Sequence, residues 1–447
     1  MTTENKYMFQ SQDPLSWRRQ KEGLGIWEHR GKVAAVGLGH SPVDRRWDEK
    51  DLNSTLGAYT ILACERAMED AGVTKDQVDG ILICSEHIAG PTGGTEANWG
   101  PTRPYLDPPY DSEWGLTVVN AKWLIDQMGF KNIRYAPDCS LMPGELFGQA
   151  SQAVGDGLCH TCLIIYPVGN LSGRYRRGGA NAQDYAKGNA QWSVPFGNHG
   201  GNDFINVFPH TEYNVRYGGS GDDIAPFVIN QHINGRLNWW GYYTIHEPYI
   251  PTTEDYLASR YILRPLRLWD CDRPVNASSA WLVSTSERAQ DMKQKPIYIL
   301  NHNQSNYPTR SSQTTLNEIE AATDRAARML FEGSGIGPAD IDVFNPYDGF
   351  SLMTQFWLEA FQYQGVKRGD AYAYYAGDIS VKGPHPFNSS GGNLGNGRTR
   401  SAMFVDSMEQ LRGTAGERQV TIKAEIAVCG LAPPMAGGWV TFSTSPD

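Results

Sequence analysis

The chain has 447 residues, 40% of them apolar, which is enough for a large core built from several domains or from a duplicated one. The net charge is −10 and no block of lysine or arginine occurs, so nucleic acid and membrane surfaces are poor candidate partners. No apolar run approaches the roughly 20 residues that span a bilayer, and the start MTTENKYMFQ lacks a basic-then-apolar signal, so we expect a cytoplasmic protein.

Apolar strands and amphipathic helices alternate from Lys32 onward. In the first half the pattern predicts the strands KVAAVGLG, VDGILICS, IRYAPDCS and CLIIYPV, with helices near 52–71, 117–128 and 143–155 between them. From about Lys295 the order is PIYILNH, a helix near 314–332, IDVFNPYD, a helix at FSLMTQFWLEAF, and the strands VTIKAEIAVCG and GGWVTFST. This alternation predicts an α/β sheet covered on both faces.

Two segments indicate an internal duplication. AGVTKDQVDGIL (71–82) and SGIGPADIDVFN (334–345) each follow a predicted helix, carry a glycine before a β-branched residue, and place Val-Asp or Ile-Asp at the same later position. We therefore expect an N-terminal extension at 1–30, a first half at 31–290 and a second half at 291–447. A Gly-, Asn- and aromatic-rich insertion at about 170–270 belongs to the first half and predicts a cap over the site.

Three stretches carry a resemblance to a known family. They are EDYLASRYILRPLRLWDCDRPVNASSAWLVSTSERAQ (254–290), VFNPYDGFS (343–351) and SSGGNLGNGRTRSAMFVDSMEQLRGTAGERQV (389–420). They resemble the sterol-carrier branch of the thiolase superfamily, and the likeness covers about residues 30–445. It implies a thiolase fold: two duplicated βαβαβαββ halves in a five-layered α-β-α-β-α arrangement, with an inserted loop or cap region.

The residues that a thiolase needs are largely missing. Cys139 lies near the place of the nucleophilic cysteine, but counting back from the end of the following helix puts Asp138 there, and the other interpretation of Cys139 is a buried structural thiol. Arg398 stands in place of the Gly-His-Pro histidine, and a guanidinium cannot shuttle a proton near neutral pH. Cys429 matches the second thiolase cysteine, but prolines follow it, which favours a packed or vestigial thiol.

Two tyrosines stand where proton-transfer groups could replace the missing cysteine and histidine of a thiolase. Tyr347 occupies the His or Asn position of the thiolase motif, and Tyr249 lies in the HEPY motif of the insertion. In this respect the chain resembles the steroid side-chain aldolases of the same superfamily, and the resemblance implies that these two phenols move the protons of a retro-aldol cleavage. The expected activity is a carbon–carbon lyase that splits a β-hydroxyacyl-CoA, a steroid side-chain thioester with a tertiary hydroxyl, into a ketosteroid and a short acyl-CoA such as propionyl-CoA or acetyl-CoA.

Supporting roles follow from position. Asp348 is expected to order the turn after Tyr347, Arg398 to supply positive charge if it faces the cleft, and His246 to tune Tyr249, although a surface histidine is the plainer interpretation. A buried structural phenol is likewise the alternative for Tyr347.

A glycine-rich loop precedes a helix predicted near Arg398, and its backbone N–H groups could hold the thioester enolate. The loop residues predicted for this role are Gly391, Gly392, Asn393 and Gly395.

The predicted route needs no organic cofactor, since CoA arrives as part of the substrate, and no metal. CHTC (159–162) has the spacing of zinc ligands, but no second pair lies at a matching interval.

The resemblance implies a homodimer and a DUF35-type OB-fold zinc-ribbon partner in a heterotetramer. Two rival functions stay open: a CoA-dependent thiolase using Cys139, and a non-catalytic scaffold that binds acyl-CoA or lipid.

Overall fold

The computed structural model describes residues 17–48, 50–84, 119–137, 139, 141–169, 207–305, 315–432 and 437–447. In this part of the chain the strands are β1 Val33–His40, β2 Gly80–Ile83, β3 Thr161–Val168, β4 Tyr261–Leu263, β5 Leu266–Arg267, β6 Ala277–Thr285, β7 Ile297–Ser305, β8 Val343–Pro346, β9 Ile426–Gly430 and β10 Gly437–Ser443.

The helices of the same residues are α1 Leu56–Ala71, α2 Ala121–Met128, α3 Pro143–Gly155, α4 Phe208–Tyr217, α5 Ala225–Gly235, α6 Tyr242–Ile245, α7 Thr253–Ala258, α8 Ser286–Ala289, α9 Leu316–Ser334, α10 Thr354–Ala360, α11 Ala371–Tyr375, α12 Gly392–Asn396 and α13 Ala402–Arg412. Among the described helices none is long and apolar enough to cross a membrane.

Eight strands form one mixed sheet in the order β2-β3-β6-β1-β7-β10-β9-β8. Outward from the central β1–β7 pair, the strands are β1, β6, β3 and β2 on one side and β7, β10, β9 and β8 on the other, so the two sides have equivalent strands in the same order. On each side the outermost pair, β2–β3 or β8–β9, is parallel, and the remaining neighbours are antiparallel. The sheet therefore confirms the predicted duplication of an α/β half.

The repeated sequence segments have the same local structure. Thr55 caps the start of α1 and Thr315 caps the start of α9 by accepting a hydrogen bond from a backbone N–H. Each helix ends at a left-handed glycine, Gly72 or Gly335, with φ 69° and ψ 31° in both cases. A short 3₁₀ turn and then β2 or β8 follow, so the two halves enter their parallel strand pairs in the same way.

Helices cover the sheet and join its halves. α1 packs on β1 and β6, whereas α9 packs on β7. α3 contacts β3 and β6 of the first half and β7 and β10 of the second, while α13 packs on β8 and β9. Because α3 touches both halves, one hydrophobic cluster of the described residues runs through both of them, while a second lies under α1 and α2.

Some boundaries differ from the sequence prediction. The described residues of IRYAPDCS make only single-residue bridges to the first half, at Tyr135 and Cys139, and VTIKAEIAVCG becomes a strand from Ile426. The helix expected near Arg398 begins at Ala402, and the glycine-rich loop itself contains the short α12. The described part of the predicted insertion contains α4 to α7 and the ribbon β4–β5, while 170–206 lies outside the described residues. The limits of the predicted domains stay a prediction.

Candidate active site

Tyr347 follows directly on β8, at the end of the parallel pair β8–β9. Its backbone N–H donates to the Gly430 carbonyl at 2.9 Å, which extends the strand pairing by one residue. The residue is 1% exposed, and its ring meets Trp357 edge-on at a centroid distance of 6.4 Å. The strand pairing thus holds the backbone of Tyr347, and Trp357 packs against its ring.

Charged groups surround the Tyr347 hydroxyl. The charges of Asp272, Arg400 and Arg398 all act on it. The Asp272 backbone N–H donates to the Gly349 carbonyl at 3.0 Å. A Cβ placed on Gly349 would lie 2.0 Å from Tyr347 Oη and 2.7 Å from Asp272 Oδ2, so only glycine lets the phenol and the carboxylate share this space.

The surroundings of Tyr347 raise its pKa above the ordinary value near 10. Burial is the largest cause, and the Asp272 carboxylate adds to it. Arg400 and Arg398 act in the opposite direction, since their positive charges favour the phenolate. At neutral pH the resting side chain is therefore a neutral phenol that can donate a proton.

Arg400 links several parts of the site. Its Nη1 donates to Tyr166 Oη at 2.8 Å, and its backbone N–H donates to Asn393 Oδ1 at 2.9 Å. The amide of Asn393 in turn donates to Asp272 Oδ2 at 3.2 Å. A chain of polar contacts therefore runs from Tyr166 through Arg400 and Asn393 to Asp272, with Tyr347 beside it.

Asp348 orders the loop rather than facing the Tyr347 hydroxyl. Its carboxyl accepts hydrogen bonds from the backbone N–H groups of Asn393 at 2.5 Å and Leu394 at 3.4 Å. Complete burial raises its pKa from an ordinary value near 3.8 to about 8, despite these bonds. Asp348 thus connects the turn after β8 to the first turn of α12.

The backbone N–H groups of the glycine-rich loop already have acceptors inside the protein. Gly391 donates to the Asn388 carbonyl, Gly392 to Ser390 Oγ, Asn393 to Asp348, and Gly395 to the Gly391 carbonyl. In the described geometry these four predicted oxyanion donors therefore do not point toward a ligand.

Close packing gives the glycines a different role. A Cβ on Gly395 would lie 2.1 Å from the Gln231 carbonyl oxygen, and one on Gly235 would lie 2.3 Å from the Gly395 carbonyl oxygen. The backbones of α12 and α5 can come this close only because both positions lack a side chain. This contact docks the described part of the cap on the site.

Tyr249 lies apart from this cluster. It is 52% exposed, and its hydroxyl donates to the Asp255 carboxylate on α7. This hydrogen bond is the main reason that its pKa is raised. His246 binds Asp44 at 3.0 Å through Nε2 and contacts the Val43 carbonyl. Among the described residues, the structure does not bring Tyr249 or His246 into hydrogen-bond contact with Tyr347.

The cysteines weighed for catalysis differ in exposure. Cys139 is half-buried and its thiol donates to the Ile83 carbonyl at 3.1 Å, while Asp138 lies outside the described residues. Cys429 is fully buried in β9, and burial raises the pKa of its thiol. A buried neutral thiol at 429 is a poor nucleophile.

The CHTC segment is buried as well. Cys159 and Cys162 are each 0% exposed, at the start of β3. Among the described residues no group of three or more His, Cys, Asp or Glu side chains could hold a metal ion.

Three members of the site were not predicted. Arg400 stands two residues after Arg398 in the same GNGRTR motif, and its proximity to a predicted residue was the only signal in the sequence. Asp272 and Tyr166 lie far from Tyr347 along the chain, in WDCDRP and in β3. Their place in the site depends on how the sheet and the inserted segment come together.

Comparisons with known proteins agree with this fold. Residues 303–441 match the thiolase C-terminal domain-like family. The steroid side-chain-cleaving aldolase of Thermomonospora curvata is 24% identical over 91% of this chain and 97% of its own. The 17-hydroxy-3-oxo-4-pregnene-20-carboxyl-CoA lyase of Mycobacterium tuberculosis is 31% identical over 42% of this chain, a match that spans about half of that protein (49%).

Solved structures show the same architecture. The Ltp2-ChsH2(DUF35) aldolase superposes with a TM-score of 0.71 at 21% identity, over 92% of this chain and 98% of that one. Human mitochondrial 3-ketoacyl-CoA thiolase in complex with CoA superposes with a TM-score of 0.60 at 11% identity, over 92% and 97%. The protein therefore has the thiolase fold, matches the thiolase C-terminal domain-like family over residues 303–441, and is similar along nearly its whole length to a steroid side-chain-cleaving aldolase.

Proposed function

We propose that this protein is a retro-aldol carbon–carbon lyase. Its substrate would be a β-hydroxyacyl-CoA, a steroid side-chain thioester with a tertiary hydroxyl, and its products a ketosteroid and a short acyl-CoA such as propionyl-CoA or acetyl-CoA. The observation that carries the proposal is the buried Tyr347 phenol beside Arg400, in a chain whose sequence is 24% identical over 91% of its length to a steroid side-chain-cleaving aldolase.

The chemistry fits a site built on phenols and cations. A tertiary alcohol cannot be oxidised to a ketone at that carbon, so thiolysis of a β-keto thioester is closed to such a substrate. In the retro-aldol route the hydroxyl loses its proton, the Cα–Cβ pair moves to Cα, and a ketone and a thioester enolate form. The enolate then takes one proton at Cα, so the cleavage needs neither an oxidant nor free CoA.

Tyr347 is the proposed proton-transfer residue. A neutral phenol with a raised pKa is suited to donate the proton that the enolate needs. The substrate hydroxyl releases its own proton to solvent before the carbon–carbon bond breaks, and the Tyr347 phenolate left by the donation takes a proton back from solvent, which restores the neutral resting phenol. Positive charge from Arg400 and Arg398 would favour both the phenolate and the enolate. The arginines, rather than the loop N–H groups at 391–395, are therefore proposed to stabilise the negative charge of the enolate. The loop N–H groups already have acceptors inside the protein.

Tyr249 remains a proposed second tyrosine on the strength of the HEPY motif, with His246 beside it. To act on the same substrate its hydroxyl would have to leave Asp255, to which it now donates. A Tyr249→Phe variant that keeps wild-type rates would remove it from the mechanism.

We also propose the assembly and the cofactor requirement. CoA would enter as part of the substrate, with no metal or organic cofactor. A DUF35-type OB-fold zinc-ribbon protein would join a homodimer of this chain in a heterotetramer in the cytoplasm, and the named composition of the Ltp2-ChsH2(DUF35) aldolase supports the choice of partner. Light scattering on the co-expressed proteins measures the stoichiometry directly.

The test is cleavage without free CoA. The protein, with and without a DUF35-type partner, is incubated with a tertiary β-hydroxyacyl-CoA, and the ketone and the short acyl-CoA are quantified. We expect equal amounts of both products, a loss of at least about 100-fold in Tyr347→Phe, and an unchanged rate in Cys139→Ala.

Each rival function predicts a different pattern in this assay. Cleavage that requires free CoA and stops in Cys139→Ala would establish a thiolase instead. Tight binding of the thioester with no product, at an affinity that Tyr347→Phe leaves intact, would establish a non-catalytic scaffold.

A further inference from the structure

We infer that Arg400 and Asp272 form an oppositely charged pair that positions Tyr347 and tunes its proton transfer from its two sides. The inference rests on the proposed function for the role of Tyr347, and it adds two positioning residues that the motif comparison did not identify.

The contacts define the pair. Asp272 Oδ2 and Tyr347 Oη both lie within 2.7 Å of the same point above Gly349. The Arg400 guanidinium is held on Tyr166, from where its charge acts on the Tyr347 hydroxyl. Asn393 joins the pair, because its amide group donates to Asp272 and accepts from the Arg400 backbone N–H. Asn393 therefore ties the backbone of Arg400 to the carboxylate of Asp272, while Tyr166 holds the Arg400 guanidinium.

The backbone of Arg400 points to the same role. Its φ is 56°, in the left-handed region that side chains other than glycine rarely adopt. Such a conformation is unfavourable by itself and persists where the surrounding contacts over-determine it. Here the Asn393 and Tyr166 hydrogen bonds hold Arg400, and the result is a guanidinium fixed on the Tyr166 hydroxyl.

The other charged and titratable groups near Tyr347 come from neighbouring elements. Arg398 acts on the phenol from the loop between α12 and α13, and its backbone N–H donates to the Arg273 carbonyl at 2.7 Å. Asp348, on the same turn as Tyr347, directs its carboxyl to the first turn of α12. Tyr166 on β3 reaches the phenol through Arg400. Because these groups are unchanged in the variants below, the Arg400 and Asp272 effects can be separated from theirs.

Opposite charges predict opposite shifts. Arg400→Gln removes a positive charge and raises the pH at which Tyr347 loses its proton. Asp272→Asn removes a negative charge, keeps a carbonyl oxygen for the Asn393 amide, and lowers that pH. A charge in direct contact typically moves a pKa by 1 to 3 pH units, so we expect a displacement of at least about one unit in each direction.

The experiment uses two readouts on the full chain. The first is the alkaline titration of tyrosinate absorbance, taken as the difference between each protein and its Tyr347→Phe counterpart. The second is the pH dependence of kcat for ketone release. Arg400→Lys, which keeps the charge, should retain a titration closer to wild type than Arg400→Gln does, and near-UV circular dichroism checks that each variant is folded. If Arg400→Gln does not fold, Asp272→Asn alone still tests the sign.

Opposite shifts in the absorbance titration support the pair, whether or not ketone is released. If wild type releases no ketone while the shifts are opposite, the proposed function fails and the pair stands. If wild type releases ketone but Arg400→Gln and Asp272→Asn move both readouts in the same direction, or not at all, the pair is wrong and the proposed function stands.

Discussion

The Tyr347 phenol is buried and yet surrounded by charge, and both conditions matter for its chemistry. Burial alone would make the neutral phenol so stable that it could release a proton only at very high pH. The neighbouring Arg400 and Arg398 offset part of this effect, whereas Asp272 adds to it. Tyr347 is thus protonated at rest, while the positive charges of the two arginines lower the free energy of its deprotonation.

Asp348 gives a pH test of the loop. The folded protein keeps its proton up to about pH 8, whereas the unfolded chain releases it near the ordinary value of 3.8. Between these values the folded state binds more protons than the unfolded state, so the Asp348 contribution to stability is lost as pH rises. Asp348→Asn removes this dependence and keeps a carbonyl oxygen for the Asn393 N–H.

We therefore expect the free energy of unfolding of Asp348→Asn, relative to wild type, to rise with pH between 5 and 7, by up to about 1.4 kcal/mol per pH unit. Chemical denaturation of both proteins at several pH values measures this difference. Parallel curves for the two proteins would show that the Asp348 carboxyl does not hold a proton in the folded state.

At the residue scale the sequence predicts only what lies next to a motif. Tyr347 and Asp348 follow a strand of clear apolar pattern, so their place at the strand end could be foreseen. The ordering role predicted for Asp348 agrees with its two backbone contacts. Asp272 could not be foreseen, since its approach to Gly349 depends on a tertiary contact across 77 residues of chain (349 − 272).

At the element scale, the glycine-rich segment works as a helix contact. A loop whose N–H groups bind an anion and a loop that packs as a short helix have the same composition, because both need residues without side chains. The sequence therefore predicted that this segment needs residues without side chains, but not which contact requires them. The structure assigns it to the packing of α12 on α5 and to the Asp348 carboxyl.

A methyl group tests this packing. Gly395→Ala would put a Cβ 2.1 Å from the Gln231 carbonyl oxygen, which the backbone must move to avoid. Overpacking of this kind costs about 1 to 3 kcal/mol, and we expect a loss of that size in the free energy of unfolding. Because α12 carries Asn393, the kcat of ketone release should also fall.

Gly337→Ala is the matched control, because its Cβ would meet only Asp340 Oδ2, at 3.9 Å. It should change the free energy of unfolding by no more than about 0.5 kcal/mol. Equal stability of the Gly395→Ala and Gly337→Ala proteins in urea would show that α12 and α5 are not in close contact.

Local signals also explain which elements could be predicted. Thr55, Thr315, Gly72 and Gly335 mark the ends of α1 and α9, and these helices lie close to their predicted positions. IRYAPDCS looked like a strand because of its apolar residues, but among its described residues Tyr135 makes a single bridge to Gly80 of β2 and Cys139 one to Cys84, just after β2. Whether an apolar run pairs fully depends on the neighbouring strand, which composition does not specify.

At the scale of the whole molecule, the site joins the two duplicated halves. Each half has a parallel strand pair at its own edge of the sheet, and Tyr347 follows β8, the strand of the second half that corresponds to β2 in the first. Tyr166, near the end of β3 in the first half, reaches it through Arg400. Both halves therefore contribute to one cluster.

The N-terminal extension joins the same halves. The Trp27 backbone N–H donates to the Gly333 carbonyl at the end of α9, and its indole N–H donates to Gln152 on α3 at 3.0 Å. Its side chain is fully buried. The sequence suggested no role for residues 1–30, because nothing in their composition indicates a binding surface for them. The described part, from residue 17, packs as a strap over the junction.

The central claim is that the carbon–carbon bond breaks through an enolate that is protonated at Cα without free CoA. The most direct measurement is cleavage of a tertiary β-hydroxyacyl-CoA in D₂O, followed by mass spectrometry of both products. The account predicts one solvent deuteron at Cα of the short acyl-CoA for each ketone released, and loss of both products in Tyr347→Phe. Cleavage that consumes one free CoA per turnover and leaves Cα without solvent deuterium would contradict it.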